Sequence, residues 1–181
     1  MQKLTDDIEK ILFSEQQLAE CVRQLGSEIT KDYADEDLLM IGILKGAGIF
    51  MGDLIRQIDG DVRTDYMVVS SYGNSSVSSG QIRIIKDVQA DVKGLNVMLV
   101  EDIADTGNTL NALKDLMIER GVKSVRICAL LDKPARRIKP IDIDYKGFEV
   151  PDEFIIGYGI DYAEKYRNLP YIGILKKEVY E

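Results

Sequence analysis

The sequence predicts an α/β fold with a central, mostly parallel sheet flanked by helices. Short apolar runs at residues 38–43 and 96–100 have the length of buried strands. A segment with helical spacing follows each run, and strands that alternate with helices favour a parallel sheet covered on both faces. The chain has 181 residues, of which 45% are hydrophobic. We therefore expect residues 1–181 to form a single domain.

The first helix is predicted to begin after Ser14. Ser14 and Gln17 have the spacing of a capping box, and apolar residues then recur at helical spacing to about Tyr33. The first apolar run follows as a buried strand, and Gly46 precedes a second helix. Residues 62–70 are predicted to form the next strand.

The second half of the chain begins with a break in this pattern. Residues 71–80 contain five serines and two glycines, which indicates a mobile loop between strands because residues 81–86 alternate again. The second apolar run comes next, then a helix at 109–120 that Gly121 closes. A further strand is predicted at 122–131.

Beyond Pro140 the pattern becomes shorter and more irregular. Strands are predicted near residues 154–156 and 172–175. Because ligands bind at the carboxyl ends of parallel strands, we expect the chemistry just after residues 43, 100 and 131.

The composition excludes several classes of function. The chain has no histidine, which excludes histidine triads and histidine–zinc sites and leaves acid–base chemistry to Asp, Glu, Lys or Tyr. Its formal net charge of −8 argues against a nucleic-acid partner. No apolar run approaches the roughly 20 residues of a membrane span, and residues 1–12 lack the apolar stretch of a signal peptide. Cys21 and Cys128 lie in apolar segments, and we interpret them as reduced core thiols of a cytoplasmic protein.

The strongest functional signal lies in residues 97–110. An apolar strand there ends in Glu101 and Asp102, and Asp105 follows before a small polar loop and a helix. Three carboxylates at one strand end repel one another, which favours a bound cation or hydroxyl donors. Hydroxyl and N–H groups of residues 106–109 at a helix N-terminus suit a phosphate monoester. The pattern predicts a ribose 5-phosphate site, although an acidic strand-to-helix turn with an N-cap has the same appearance.

Lys45 and Gly46 follow another predicted strand and raise a different possibility. Gly46 and Gly48 open a helix as in a dinucleotide-binding fingerprint, but the third glycine is Gly52, one position late. The sequence also lacks a P-loop motif. Neither nucleotide-binding motif is therefore well supported.

The segment 97–110 resembles the signature of the phosphoribosyltransferases, an apolar strand followed by Glu-Asp, two aliphatic residues and Asp-Thr-Gly-x-Thr. Four other motifs are similar to the hypoxanthine-guanine branch: Leu44-Lys45-Gly46, Ser70-Ser71-Tyr72, Leu131-Asp132-Lys133-Pro134 and residues 157–162. Residues 166–171 look like the bacterial members. The resemblance runs from about residue 38 to the C-terminus. It implies the type I phosphoribosyltransferase fold, with a small hood formed largely by residues 140–181 and a flexible catalytic loop at 71–80.

The resemblance also implies a reaction and a cofactor. The 5-phosphoribosyl group would pass from 5-phosphoribosyl 1-pyrophosphate to N9 of hypoxanthine or guanine, giving IMP or GMP and pyrophosphate. Mg²⁺ would be held by Glu101, Asp102 and Asp161. The first two acids would also bind the ribose hydroxyls, and Asp105 would act as general base near N7 of the purine. The residues implied for the 5-phosphate are Thr106, Gly107, Asn108 and Thr109.

The same resemblance assigns the other ligand groups. The residues implied for pyrophosphate are Lys45, Gly46, Ser71, Tyr72 and Arg167, and family members often have a non-proline cis peptide before this lysine. For the purine, Lys133 would donate to O6, Phe154 would stack on the ring and Ile155 would present its backbone, with Asp161 nearby. Phe154 is also compatible with a core aromatic, and Asp161 with a structural ion pair to Arg167.

Two alternatives to this function stay open at the level of sequence. One is a xanthine-preferring phosphoribosyltransferase, and the other is a non-catalytic regulator on the same fold that senses the phosphoribosyl donor. Ala104 departs from the larger aliphatic residue that the family usually has, which could loosen the packing beside Asp105 or widen the pocket. The resemblance further implies a homodimer or homotetramer.

Overall fold

The computed structural model describes residues 4–71 and 82–181 of the chain. Within these residues there are four α-helices: α1 (Glu15–Asp32), α2 (Gly48–Ile55), α3 (Asn108–Glu119) and α4 (Lys177–Tyr180). The same residues form nine strands: β1 (Ile8–Phe13), β2 (Leu38–Leu44), β3 (Val62–Ser71), β4 (Ile82–Lys86), β5 (Asn96–Ala104), β6 (Ser124–Asp132), β7 (Tyr145–Glu149), β8 (Ile155–Ile156) and β9 (Ile172–Leu175).

The larger sheet has six strands in the order β4-β3-β2-β5-β6-β7. All neighbours from β3 to β7 pair in parallel, and β4 alone pairs antiparallel with β3. The predicted α/β class with a mostly parallel sheet is therefore confirmed. This topology places the carboxyl ends of β2, β5 and β6 side by side at one edge of the sheet.

Side-chain alternation along the central strands builds a core on each face of this sheet. In β2, Leu38 and Met40 pack in a cluster with α1 and α2, whereas Leu39, Ile41 and Ile43 pack in a second cluster with α3. Strands that are buried on both faces lack a polar side, which explains why the predicted runs are continuously apolar.

The predicted capping box at the start of α1 is present. The Gln17 backbone N–H donates to Ser14 Oγ at 3.3 Å, and the Ser14 N–H donates to Gln17 Oε1 at 2.9 Å. The predicted end of α3 is also confirmed, because Gly121 follows the helix with a left-handed φ of 75°.

A second sheet of three strands has the order β1-β9-β8, with both pairs antiparallel. The C-terminal strands β8 and β9 were predicted, but β1 was not. Glu9 and Lys10 interrupt the apolar pattern of β1, which is only partly buried and has two register shifts against β9. The N-terminus therefore contributes a strand to this second sheet.

Two other features differ from the predictions. β7 was missed because it is an edge strand whose Lys146 and Gly147 weaken the strand pattern. β5 continues to Ala104, four residues beyond the predicted end at Val100, so Glu101 and Asp102 lie within the strand. These two acids stand where the strand would otherwise be apolar, because the carboxyl edge of the sheet opens into a cleft.

Both cysteines are free and buried, as the sequence predicts for core thiols. Burial raises the pKa of the Cys21 thiol to about 11, which keeps it protonated at neutral pH. Across residues 4–71 and 82–181, no helix has the length and apolar character needed to cross a membrane.

Candidate active site

Two clefts open at the carboxyl edge of the large sheet and meet at Ile103. The first has a volume of about 500 Å³ and contains Lys133 and Phe154; we call it the lysine cleft. The second has a volume of about 280 Å³ and runs from Glu101 to the start of α3; we call it the acidic cleft. Ile103 lines both. A ligand in one cleft would therefore lie next to a ligand in the other.

The loop that joins β5 to α3 is held in place through its carbonyl oxygens. Arg137 donates from Nε to the Asp105 carbonyl at 2.8 Å and from a terminal nitrogen to the Ala104 carbonyl at 3.1 Å. The N–H groups of Ile138 and Lys139 both donate to the Thr106 carbonyl, at 2.9 and 3.0 Å. In trans peptides the N–H points away from the C=O. The N–H groups of residues 105–107 are thus directed away from the 137–139 segment.

Gly107 makes this loop possible. It precedes α3 with a left-handed φ of 81°, and a Cβ there would overlap the Lys139 carbonyl. Thr106, Gly107 and Thr109 line the acidic cleft, so hydroxyl groups and a helix N-terminus converge on one space. Such a space suits an anion. Asn108 is the first residue of α3, and its N–H donates to Thr106 Oγ1 at 3.3 Å.

Glu101 and Asp102 form a destabilised pair of acids in the acidic cleft. Burial raises the pKa of Glu101 well above its ordinary value of 4.5, and the neighbouring charge of Asp102 adds to the effect. Burial also raises the pKa of Asp102, opposed by a hydrogen bond from Glu101, by the Ile103 N–H and by the charge of Arg167. A cation or hydroxyl donors between these carboxylates would relieve their repulsion.

We expect Glu101→Gln to stabilise the fold by about 1 kcal/mol at pH 8 and by less at pH 5. The folded-state pKa of Glu101 lies above the unfolded-state value near 4.5, so the native protein binds more protons than the unfolded chain. The contribution of Glu101 to stability is greatest below the unfolded-state pKa and falls as the pH rises through the folded-state pKa. Glutamine cannot ionise, so the variant does not lose this stability as the pH rises. Urea denaturation of both proteins at the two pH values measures the difference.

Glu119→Gln is the matched control, because Glu119 is exposed on α3. We expect it to change the free energy of unfolding little at either pH. If Glu101→Gln raised the free energy of unfolding equally at pH 5 and pH 8, the result would contradict the interpretation that burial of the Glu101 charge destabilises the fold.

Lys133 is a buried cation at the end of β6, and its side chain is only 7% exposed. Its Nζ donates to the Glu153 carbonyl at 2.7 Å and lies 3.3 Å from Asp152 Oδ1. An ammonium group has three donors, and the hydrogen bond to Glu153 uses one of them, so donors are left for a ligand in the lysine cleft. The backbone N–H of Lys133 also donates to the Ala104 carbonyl at 2.9 Å, which ties the ends of β5 and β6 together.

Aromatic residues surround the other side of the lysine cleft. Phe154 stacks on Tyr180 with ring centroids 4.7 Å apart and makes a T-shaped contact with Tyr162, whose ring centroid is 5.2 Å away. Phe154, Tyr180 and Ile155 all line the cleft. Phe154 is partly buried and packs against the small core of the second sheet, so it combines a core contact with a surface that faces the cleft.

Gly46 brings three segments of the chain into close contact. A Cβ on Gly46 would overlap the Asp102 carboxylate, and a Cβ on Gly159 would overlap the Gly46 carbonyl. Gly46 therefore lies between the end of β5 and the C-terminal region, and glycine is required on both sides of the contact. The preceding peptide bond, Leu44–Lys45, is cis, as the family resemblance suggests.

Arg167 is held by contacts within the C-terminal region, and its charge opposes the rise that burial causes in the pKa of Asp102 at this edge of the sheet. It forms ion pairs with Asp161 at 2.8 Å and Glu164 at 3.2 Å, and it donates to the Gly159 carbonyl at 2.8 Å. The ion pair between Asp161 and Arg167 is the structural alternative noted from the sequence. Asp161 also lines the lysine cleft, so its position is compatible with both interpretations.

Asp105 has an unusual environment. Its Oδ1 is buried and has no hydrogen-bond partner within residues 4–71 and 82–181. The closest cation to it among the ion pairs of these residues is Arg136, whose Nε lies 3.8 Å away. A buried acceptor without a donor favours a role toward a bound ligand.

A model of the phosphoribosyl transferase domain family matches residues 9–163. The hypoxanthine-guanine phosphoribosyltransferase of Bacillus subtilis is 54% identical over 175 residues, which cover 97% of each chain. This chain belongs to the hypoxanthine-guanine phosphoribosyltransferase family. A solved structure described as a hypoxanthine phosphoribosyltransferase from Staphylococcus aureus superposes with a TM-score of 0.96 at 45% identity, covering 98% of this chain and 97% of that one.

Some relatives in the hypoxanthine-guanine phosphoribosyltransferase family are much longer. The bifunctional protein TilS/HprT of Listeria innocua is 54% identical over 179 residues, which cover 99% of this chain and 28% of that protein. The chain thus spans little more than a quarter of that relative.

Sequence reasoning missed several residues of the clefts. Ile103 has a sequence signal, because it lies between the acids of the family signature. Arg136 and Tyr180 carry no comparable signal, and only the fold brings them to the lysine cleft. Glu164 likewise reaches Lys45 only through the fold, although it lines neither cleft. Ala104 packs in the core cluster that faces α3 and lines neither cleft. Ser71 is the last residue of β3, whereas Tyr72 and the rest of the predicted loop at 71–80 lie outside the described residues.

Proposed function

We propose that this chain transfers the 5-phosphoribosyl group from 5-phosphoribosyl 1-pyrophosphate to N9 of hypoxanthine or guanine, giving IMP or GMP and pyrophosphate. The observation that carries the proposal is the pair of clefts that meet at Ile103. The acidic cleft suits a phosphorylated sugar and the lysine cleft suits an oxopurine. Their common wall is where C1 of the sugar and N9 of the purine would react.

The acidic cleft would bind the sugar phosphate. N–H groups of residues 105–107, together with the hydroxyls of Thr106 and Thr109, would donate to the 5-phosphate, which needs donors. Asn108, as the first residue of α3, would place the helix N-terminus beside the 5-phosphate. Glu101 and Asp102 can accept hydrogen bonds from the ribose hydroxyls. Acids and donors are thus separated along one cleft in the same order as the sugar and its phosphate.

The acidic pair also fits Mg²⁺, because carboxylate oxygens are its usual protein ligands. Within the described parts of the chain, no group of three or more Asp, Glu or Cys residues could hold a metal ion. Glu101 and Asp102 would therefore supply part of the ligands, with substrate oxygens and water supplying the rest. Asp161 is proposed as a further ligand acting through water. When bound, Mg²⁺ masks the charge of pyrophosphate and makes it a better leaving group.

The lysine cleft would bind the purine. Lys133 would donate a hydrogen bond to O6, and Phe154 would stack on the ring while Ile155 presents its backbone. The 6-amino group of adenine is itself a donor and cannot accept a hydrogen bond from Lys133, so adenine is disfavoured. This pairing supports a 6-oxopurine as the accepted base.

Asp105 would receive the proton that the purine loses as the N9–C1 bond forms. Its carboxylate belongs to the acidic cleft, and Arg136 of the lysine cleft lies close to it. The unpartnered Oδ1 of Asp105 supports a role as acceptor. Its backbone is held by Arg137, which would keep the carboxylate at the junction.

Pyrophosphate would lie against Lys45, Gly46 and Arg167. Lys45 and Arg167, which both contact Glu164, would supply positive charge, and Gly46 has no side chain that would keep an anion from its backbone. The roles of Ser71 and Tyr72, and closure of residues 71–80 over the substrates, stay predictions from the family resemblance. Such closure would keep water from the reacting sugar.

The decisive experiment measures pyrophosphate release from 5-phosphoribosyl 1-pyrophosphate with Mg²⁺, offering hypoxanthine, guanine, xanthine and adenine separately. We expect release with hypoxanthine and guanine and little with adenine. Release mainly with xanthine would keep the reaction and overturn the proposed base preference. Donor binding without release with any base would indicate a non-catalytic regulator.

We expect Lys133→Met to reduce the preference for hypoxanthine over adenine by about 100-fold. Methionine keeps most of the side-chain volume but has no donor for O6. The ratio of kcat/KM for the two bases measures the change, with melting temperature recorded as a check on folding. Lys177→Met is a control, because Lys177 lines the same cleft at an exposed position. An unchanged ratio in Lys133→Met would remove this lysine from base recognition.

Family resemblance supports two further proposals. We infer that the enzyme acts in the cytoplasm, where its substrates are small molecules, and that it assembles as a homodimer or homotetramer. Sedimentation analysis of the purified chain would test the assembly.

A further inference from the structure

Glu164 contacts both cations that would bind pyrophosphate. Its Oε2 lies 2.7 Å from Lys45 Nζ, and its Oε1 lies 3.2 Å from a terminal nitrogen of Arg167. Lys45 is 119 residues away in the sequence, so this bridge depends on the fold. One carboxylate thus uses its two oxygens as a bridging phosphate would.

From this geometry we propose that Glu164 competes with pyrophosphate for Lys45 and Arg167, and so weakens retention of the leaving group. The inference rests on the proposed function, because that function assigns the two cations to pyrophosphate. Glu164 would act through these residues and is therefore a positioning residue. Its carboxylate would hold the cations before the donor binds and recover them as pyrophosphate leaves.

The bridge can be displaced because much of it is exposed to solvent. The side chains of Lys45 and Glu164 are 64% and 65% exposed, and exposed ion pairs are weak. A hydrogen bond from Lys45 is the largest cause that lowers the pKa of Glu164, so the carboxylate is charged at neutral pH. Pyrophosphate has more negative charge than one carboxylate and would win this competition without abolishing it.

The backbone at Glu164 keeps the competing group close. Ala163, Glu164 and Tyr166 have left-handed φ angles of 50°, 63° and 73°, which non-glycine residues rarely adopt. The Glu164 N–H donates to Asp161 Oδ2 at 2.8 Å, and a bridge between Tyr162 and Lys165 closes the turn. When displaced, the side chain of Glu164 would stay beside the site and repel the bound anion.

The test is binding of inorganic pyrophosphate in the presence of MgCl₂, measured by isothermal titration calorimetry on the whole chain. Loss of the two ion pairs of Glu164 corresponds to about fivefold tighter binding of pyrophosphate. We expect this gain for Glu164→Gln and a slower release of pyrophosphate in stopped-flow displacement. Glu164→Asn is a second variant, because asparagine tolerates a left-handed φ.

Two controls separate competition from a general change of charge. Glu178→Gln removes the same charge from an exposed position on α4, and we expect no change in pyrophosphate affinity. In a Lys45→Met background, Glu164→Gln is expected to give at most about a twofold gain, because one of its two cations is missing.

Each outcome decides the inference. Tighter binding in both Glu164 variants, absent in Glu178→Gln and reduced in the Lys45→Met background, supports it. Unchanged or weaker binding in the Glu164 variants overturns it and leaves the proposed function intact. An unaltered chain that binds no pyrophosphate at all overturns the proposed pyrophosphate site and the inference together.

Discussion

Asp105→Asn is expected to lower kcat by at least about 100-fold while changing the Kd for 5-phosphoribosyl 1-pyrophosphate by no more than about threefold. Asparagine has nearly the same size but cannot accept the proton that the purine loses. The backbone position is set independently of this side chain, because Arg137 donates to the Asp105 carbonyl. Steady-state rates with saturating substrates and calorimetric binding of the donor give the two quantities separately.

Asp152→Asn is the matched control for this prediction. Arg136 Nε lies 3.9 Å from Asp152 and 3.8 Å from Asp105, so both variants remove a carboxylate from the same cation. Asp152 lines only the lysine cleft, and we expect a small effect on kcat. A similar loss of kcat in both variants, or equal losses in rate and donor binding for Asp105→Asn, would contradict a role in proton transfer.

Gly46→Ala is expected to lower kcat/KM for 5-phosphoribosyl 1-pyrophosphate by about 100-fold. The added Cβ overlaps the Asp102 carboxylate, and the loop cannot retreat because Gly159 lies against the Gly46 carbonyl. Either the loop or the acidic pair must move, and each carries groups that the sugar and pyrophosphate would need. Initial rates at varied donor concentration measure the effect.

Gly48→Ala tests the same change two residues away. A Cβ at Gly48 meets only Leu44 Cδ2 at 3.5 Å, which is ordinary van der Waals contact, and we expect nearly unchanged kcat/KM. Melting temperatures of both variants show whether lost activity reflects lost folding. Activity of Gly46→Ala within threefold of Gly48→Ala would mean that the contact with Asp102 is not required.

Much of the fold was predictable because the central strands are continuous apolar runs with clear helices between them. β2, β5 and β6 were all located from local pattern, and burial on both faces explains that pattern. The edge strand β7 and the N-terminal strand β1 were missed. Their charged residues and partial burial leave no strong alternation, and only pairing with β6 and β9 makes them strands.

The candidate site divides in the same way between local and distant contacts. The sequence by itself determined the strand, acids, loop and helix of residues 97–110, because these groups are contiguous in the chain. It also indicated Lys45 and Lys133, because each directly follows a buried strand. These signals were readable since strand ends in a parallel sheet share one edge.

Only the tertiary structure decided which distant groups meet at that edge. The contact of Gly46 with Asp102 and Gly159, the bridge from Glu164 to Lys45, and the approach of Arg136 to Asp105 join segments that no local pattern relates. Parallel packing of β2, β5 and β6 brings Gly46 to Asp102 and Arg136 to Asp105, whereas Gly159 and Glu164 approach from the segment between β8 and β9. The charged groups among them act on one another only at the short distances that this packing creates.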